Sequence, residues 1–139
     1  MIKFLNSNNS EVYEIFRSLY RKALNANQQL PEAISISSFN KEFLEVNARF
    51  VNLKIVDNED FIFFTNYNSS KAEEFNSHNQ IAALIYWSSI NVQIRIKAKI
   101  RKTSEEFNKK YFFDRSEEKN ALAISSKQSK KIGSFEQVK

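Results

Sequence analysis

In 139 residues the chain has no cysteine, one histidine, one glycine and one proline, and each scarcity closes off a type of chemistry. Without cysteine there is no disulfide framework, no thiolate metal site and no thiol nucleophile. With His78 alone, a histidine-based metal site or catalytic triad is disfavoured, and His78, within NSHNQ, reads as a turn residue. No apolar run approaches the ~20 residues that cross a bilayer, and the N-terminus MIKFLNSNNS lacks the apolar segment of a secretory leader. A cytoplasmic location with no membrane partner is expected. With glycine nearly absent, asparagine is expected at the turn and left-handed positions that glycine ordinarily fills.

What is present is enough to fold. Hydrophobic residues make up 42% of the chain, including 13 Phe and 5 Tyr, so burial can offset the entropy of ordering. The length fits one domain, residues 1–139, with 127–139 (KQSKKIGSFEQVK) as a mobile tail of little periodicity. The net charge of +5 is uneven: residues 91–139 hold 13 Lys or Arg against 6 acids, and residues 1–90 hold 8 against 10. A basic C-terminal third suits an anionic ligand, a nucleic acid or simply a solvated face. Nucleic acid is the weakest of these, because basic and aromatic residues do not alternate on one exposed face. The acids Asp57, Glu59 and Asp60 around Asn58 read as a solvated turn, and no metal is expected there.

Ser10 is placed to cap a helix whose apolar stripe is Val12, Phe16, Leu19, Tyr20 and Ala23, with Glu11 and Glu14 in its first turn. Strands are expected over Ala33–Ser38, Phe43–Ile55, Phe61–Thr65 and Ile81–Trp87 from their β-branched and aromatic bias. From Val92 to Arg101, apolar and polar residues alternate without error, which predicts a half-buried strand with Arg95, Lys97, Lys99 and Arg101 in solvent. Thr103 and Glu106 predict a capping box opening a helix through Phe107, Tyr111 and Phe112. Glu117–Ser126 is expected to form another short helix. Phe61, Phe63, Phe64, Tyr86 and Trp87 are expected in the core. Five or six strands with local connections and helices set aside give an α+β protein built on an antiparallel barrel.

The segment Phe61–Arg101 puts a strand, a polar turn (TNYNSS), a short helix and two further strands into one unit, and it reads as a phosphate cradle. A phosphate needs at least two fixed cationic or hydroxyl donors, and Arg49, Thr65, Ser69 and Lys71 are of that kind. The wording of this segment, Phe64-Thr65-Asn66-Tyr67, a Ser, a basic residue, a helix, then Tyr86-Trp87 and Gln93-x-Arg95, resembles the pyridoxamine 5'-phosphate oxidase family. So do Arg49-Phe50-Val51-Asn52-Leu53-Lys54, Tyr111-Phe112-Phe113-Asp114-Arg115 and the pair Gln128-Ser129.

The resemblance covers roughly residues 12–132. It implies a six-stranded antiparallel split β-barrel that binds FMN (the FMN-binding split barrel), with flanking helices, and a homodimer with flavin at its two-fold interface. It assigns FMN to Arg49, Val51, Lys54, Phe64, Thr65, Ser70, Lys71, Gln93, Gln128 and Ser129. Ser70 replaces the family's second basic residue, which removes one cationic contact. The resemblance also implies that Lys54, Tyr111, Arg115 and Lys119 grip the phosphate of a B6 vitamer-like small molecule; Lys119 stands where the family has Ser. The family's C-terminal Trp and Arg-Leu-His region has no counterpart before Lys139, so a shortened member is expected. No catalytic residue is assigned. The expected function is hydride transfer from a phosphorylated small molecule to FMN, and the alternative is a non-catalytic module that holds FMN or a B6 phosphate.

Overall fold

The computed structural model describes residues 1–66, 70–112 and 119–125, with side chains described for all of these except residues 66, 70–72, 108, 109, 111, 112 and 119–121. The elements follow in the order β1 (Lys3–Leu5), α1 (Glu11–Asn25), β2 (Ala33–Asn40), β3 (Glu45–Asp57), β4 (Asp60–Asn66), α2 (Ser70–Ser77), β5 (Gln80–Trp87), β6 (Val92–Lys102), α3 (Glu105–Phe112) and β7 (Lys119–Ser125). A 3-10 turn, Ser88–Ile90, joins β5 to β6.

Strands β3-β2-β5-β6-β7-β4 are hydrogen-bonded in that order, and β4 returns to β3 to close the barrel. All six pairings are antiparallel. β1, which the sequence reading missed, lies outside this ring and pairs in parallel with the end of β3. Three residues, Lys3, Phe4 and Leu5, carry too short a pattern to be read as a strand; the Ile2 N–H, 2.7 Å from the Tyr20 hydroxyl, anchors the segment instead.

The alternation in β6 is strict. Val92, Ile94, Ile96, Ala98 and Ile100 are buried while Arg95, Lys97, Lys99 and Arg101 are exposed, as expected of a strand with one face on the core. Among the described residues, four of the six non-glycine residues with positive φ are Asn6, Asn27, Asn58 and Asn91, so asparagine does take left-handed positions; Leu30 and Leu44 take the other two. Asn58 lies in the β3–β4 hairpin, where Asp57 pairs with Asp60.

Three local expectations are corrected. The segment near Glu117–Ser126 forms strand β7, not a helix: it pairs with β4 from Asp60↔Ser125 to Asn66↔Lys119 and with β6 from Lys99↔Ser125 to Lys102↔Leu122. Filling the gap between two strand edges outweighs the mild helix preference of its Ala and Leu residues. Helix α3 begins at Glu105, one residue later than a cap at Thr103 implies, and the Ser104 Oγ accepts the Phe107 N–H at 3.1 Å. Tyr86 is 57% exposed while Trp87 is 1% exposed, because neighbours on a strand point to opposite faces and only one of the two can enter the core. Ser10 does stand before α1, but without a side-chain cap bond.

Helix α1 packs where β2 begins. Phe16 meets Phe61 edge-on at 5.0 Å and Trp87 at 5.7 Å, and Tyr20 lies 5.9 Å from Trp87. The Trp87 indole N–H donates to the Pro31 carbonyl at 2.8 Å, so its polar edge is satisfied inside the cluster. At the opposite end of β2, helix α2 sets Phe75 against Phe63 and brings Glu74 onto the strands. A second, smaller cluster of Ile55, Ile62 and Ala123 on the outer surface is covered by Leu5, Phe64 and Phe107.

Candidate functional site

Arg49 sits in register with Ile36 across β2 and β3. Its side chain therefore shares the inward face with buried Ile34, Ile36 and Leu53. At the α2 end of the barrel this face turns polar. The Arg49 Nη1 donates to the Ser38 Oγ at 2.8 Å and to the Ile36 carbonyl at 3.2 Å, and Nη2 donates to the Glu74 carboxylate at 3.0 Å. The guanidinium lies 5.6 Å from the centre of the Phe75 ring. Arg49 keeps 21% of its side chain exposed and Glu74 only 7%.

Glu74 is the buried acid of this cluster. Its carboxylate accepts from the Ser38 hydroxyl, the Asn47 side-chain amide and Arg49. Burial pushes its pKa up, but the three hydrogen bonds and the Arg49 charge outweigh that and hold it below the usual carboxylate value. Each of β2, β3 and α2 thus contributes to one matched polar knot. Among the described residues no buried side-chain nitrogen or oxygen is left unpartnered.

The other predicted positions fall into separate groups. Val51 shares the inward face of β3 with Arg49, two residues along, and Thr65 is buried near the end of β4. Thr65 follows two residues after Phe63, the partner of Leu53, and so shares the inward face of β4 with it. Lys54 occupies the bulge between Leu53 and Ile55, where the extra residue re-aims the strand. Phe64, expected in the core, is only half-buried and faces outward against the small outer cluster, because its neighbour Phe63 takes the inward side of β4. Gln93 opens β6 on its outward face, paired with Tyr86. Between β6 and β3 lie β5 and β2, so Gln93 stands on a strand that does not neighbour β3, and on its outward face, whereas Arg49 is on the inward face of β3. One chain therefore brings Arg49, Val51 and Thr65 to one inward region and leaves Gln93 elsewhere.

Ser70 and Lys71 lie on the backbone of α2, Tyr111 on α3 and Lys119 on β7, and their side chains are not among those described. Ser69, Arg115, Gln128 and Ser129 lie outside the described residues. Sequence reasoning missed Ser38, Asn47 and Glu74. Nothing local marks them: Glu73 and Glu74 look alike on a short helix, and only the docking of α2 on β2 decides that Glu73 is exposed and Glu74 buried.

A closed six-stranded antiparallel barrel with a seventh strand outside and helices at its margins is the split barrel of pyridoxamine 5'-phosphate oxidase-like proteins. The barrel of PhzG from Burkholderia lata, crystallised with tetrahydrophenazine-1-carboxylic acid, superposes with a TM-score of 0.71 at 24% identity, covering 77% of this chain and 52% of that one. A pyridoxamine 5'-phosphate oxidase-related, FMN-binding protein from Nostoc punctiforme superposes with a TM-score of 0.63 at 11% identity, covering 79% of each chain.

Residues 20–139 match the family described as pyridoxamine 5'-phosphate oxidase. The pyridoxine/pyridoxamine 5'-phosphate oxidase of Colwellia psychrerythraea is 37% identical over 126 residues, 91% of this chain. That of a Nostoc species is 35% identical over 121 residues, 87% of this chain. The chain belongs to the pyridoxamine 5'-phosphate oxidase family. It spans 58% and 56% of the length of these two relatives. Among the described residues no helix is long and apolar enough to cross a membrane.

Proposed function

We propose that this chain is an FMN-binding flavoprotein that takes the flavin phosphate at the α2 end of the barrel. The observation that carries the reading is Arg49. It is a partly exposed guanidinium held on the inward face beside the helix that begins at Ser70. Its bonds to Ile36, Ser38 and Glu74 use three of its five N–H groups, leaving Nε–H and one Nη2–H outside that set. A planar donor with fixed orientation, packed against α2 through Glu74 and Phe75, suits a phosphate. The residues therefore fit the phosphate end of FMN, with Lys71, Thr65 and Ser69 as the further donors expected from the sequence.

FMN, when bound, supplies hydride acceptance, and the protein's part is to bind, orient and exclude water. We assign Lys54, Tyr111, Arg115 and Lys119 to the phosphate of a B6 vitamer-like substrate, the class of compound that the relatives' names carry. Rate would come from placement, since holding reacting groups in line is worth about 7–11 kcal/mol of barrier.

Two copies complete the site in this reading. The outward faces of β2, β3 and β5 expose Val46 (71%), Phe50 (76%), Leu84 (40%) and Tyr86 (57%). Small Ser35, Ser37, Ala48 and Ala82 lie between them in register. A contiguous apolar area of this kind supports an isologous interface, and Gln93 lies at its edge, opposite Tyr86. Sedimentation at micromolar concentration should give a dimer, and a monomer would contradict this part.

The test of function is anaerobic: FMN-loaded protein is mixed with pyridoxine or pyridoxamine 5'-phosphate and followed by visible absorption. Bleaching of the flavin and peroxide release on admitting air support the oxidase reading. A spectral shift on ligand addition without bleaching supports a binding module, and protein that takes up no FMN overturns the proposal.

A further inference from the structure

We propose that Glu74 is the positioning residue of the phosphate site, a carboxylate that holds the Arg49 guanidinium and the first turn of α2 in one fixed relation; this rests on the flavin reading above. Three segments meet on this one side chain. Ser38 from β2, 2% exposed, and Asn47 and Arg49 from β3 all donate to it, and it is itself carried by α2. Ser70 and Lys71 lie four and three residues before Glu74, one helical turn away. Whatever fixes Glu74 on the strands therefore also fixes where the helix begins relative to Arg49.

A free arginine side chain samples many rotamers, and ordering it on ligand binding costs entropy. Here that ordering is done in advance: Nη1 is pinned to two oxygens, Nη2 to a third, and the Phe75 ring lies near the guanidinium. A carboxylate beside an anion site could instead compete with the anion. The geometry favours positioning, because Glu74 takes a single N–H of Arg49 and directs its other oxygen to Asn47. The pair is also electrically matched, Arg49 against Glu74, so recognition would depend on directed N–H groups more than on net charge. Phosphorylated flavin should then be distinguished from unphosphorylated flavin by geometry that Glu74 maintains.

The experiment titrates FMN and riboflavin separately into wild type, Glu74→Ala, Glu74→Gln and Ser38→Ala. Flavin fluorescence reports binding, and circular dichroism confirms folding. In wild type FMN should bind more tightly than riboflavin. Glu74→Ala should weaken FMN by about tenfold or more while changing riboflavin by less than about twofold, since the charge-assisted contact of Arg49 that Glu74 positions acts at the phosphate alone. Glu74→Gln, which keeps an acceptor for Arg49, should recover part of the loss. If Glu74→Ala does not fold, the FMN-to-riboflavin preference of Glu74→Gln and Ser38→Ala carries the test and should fall in both. Equal weakening of the two flavins would make Glu74 merely structural and overturn the inference, as would unchanged or tighter FMN binding. Wild type that binds neither flavin overturns the flavin reading and this inference with it. Wild type that prefers FMN, alongside Glu74 variants with the same preference, overturns the inference alone.

Discussion

The two ends of the barrel are closed by opposite chemistry. Where β2 begins, α1 seals the barrel with the rings of Phe16, Tyr20, Phe61 and Trp87, which touch at centroid distances of 5.0 to 5.9 Å. Where β2 ends, α2 seals it with a polar knot of Ser38, Asn47, Arg49 and Glu74 over Phe75. Aromatic burial is non-directional and scales with area, so the first end gives stability and tolerates small shifts. A buried polar cluster is favourable only while every donor has its acceptor, so the second end specifies one arrangement. Stability and ligand binding should therefore separate along the barrel.

The largest expected effect is at the aromatic end. Phe16, 0% exposed, replaced by Ala should cost about 3–5 kcal/mol in urea unfolding, while the folded fraction keeps its flavin affinity. A marked loss of flavin affinity in that folded fraction would break the separation. At the other end, Lys71→Ala should weaken FMN binding by about 1.5–3 kcal/mol and leave unfolding nearly unchanged. Lys97→Ala, on the exposed face of β6, should change neither FMN binding nor unfolding appreciably. Equal FMN dissociation constants for the two lysine variants would count against the phosphate assignment.

The two ends should also differ in pH dependence. Glu74 is held below its ordinary pKa, burial raising it less than Ser38, Asn47 and Arg49 lower it. Its contribution is therefore present above its unfolded value and is lost as pH falls through the lower folded one. Glu74→Gln should flatten the acid limb of the stability curve, and an unchanged limb would show that the carboxylate is not the titrating group. Tyr13, at the α1 end, is pushed up to about 12 by burial and then by Glu59 and Asp60. Its contribution is present below its unfolded value near 10 and is lost as pH rises towards 12. Tyr13→Phe should flatten only the alkaline limb, and a steeper alkaline loss would contradict this. The smallest effect is expected at Arg101, whose salt bridge to Asp60 lies on the surface with 55% of the arginine side chain exposed. Arg101→Ala should change stability by less than about 1 kcal/mol.

The aromatic end was the more legible in sequence. The helical stripe of Phe16, Leu19, Tyr20 and Ala23 and the strict alternation of β6 are local periodicities, and local periodicity is what burial imprints. The polar end was only half legible. Arg49 and Lys71 stood out through motif wording, whereas Ser38, Asn47 and Glu74 come from three segments with ordinary local composition. Their meeting depends on the register of β2 with β3 and on the docking of α2, which are set by tertiary packing. The same cause explains β7: its Ala and Leu residues carry little strand signal, and only the open edges of β4 and β6 decide its pairing. Tyr86 was misplaced because Tyr86 and Trp87 were read together as core, although neighbours on a strand must part.

The most direct test of the central claim, that the polar end of the barrel holds the flavin phosphate through Arg49, is the thermal midpoint of wild type and Arg49→Ala with and without excess FMN. A ligand that binds only the folded state raises that midpoint in proportion to its affinity. FMN should raise the midpoint of wild type clearly, riboflavin less, and Arg49→Ala should respond equally weakly to both. An FMN shift that persists undiminished in Arg49→Ala would contradict the claim.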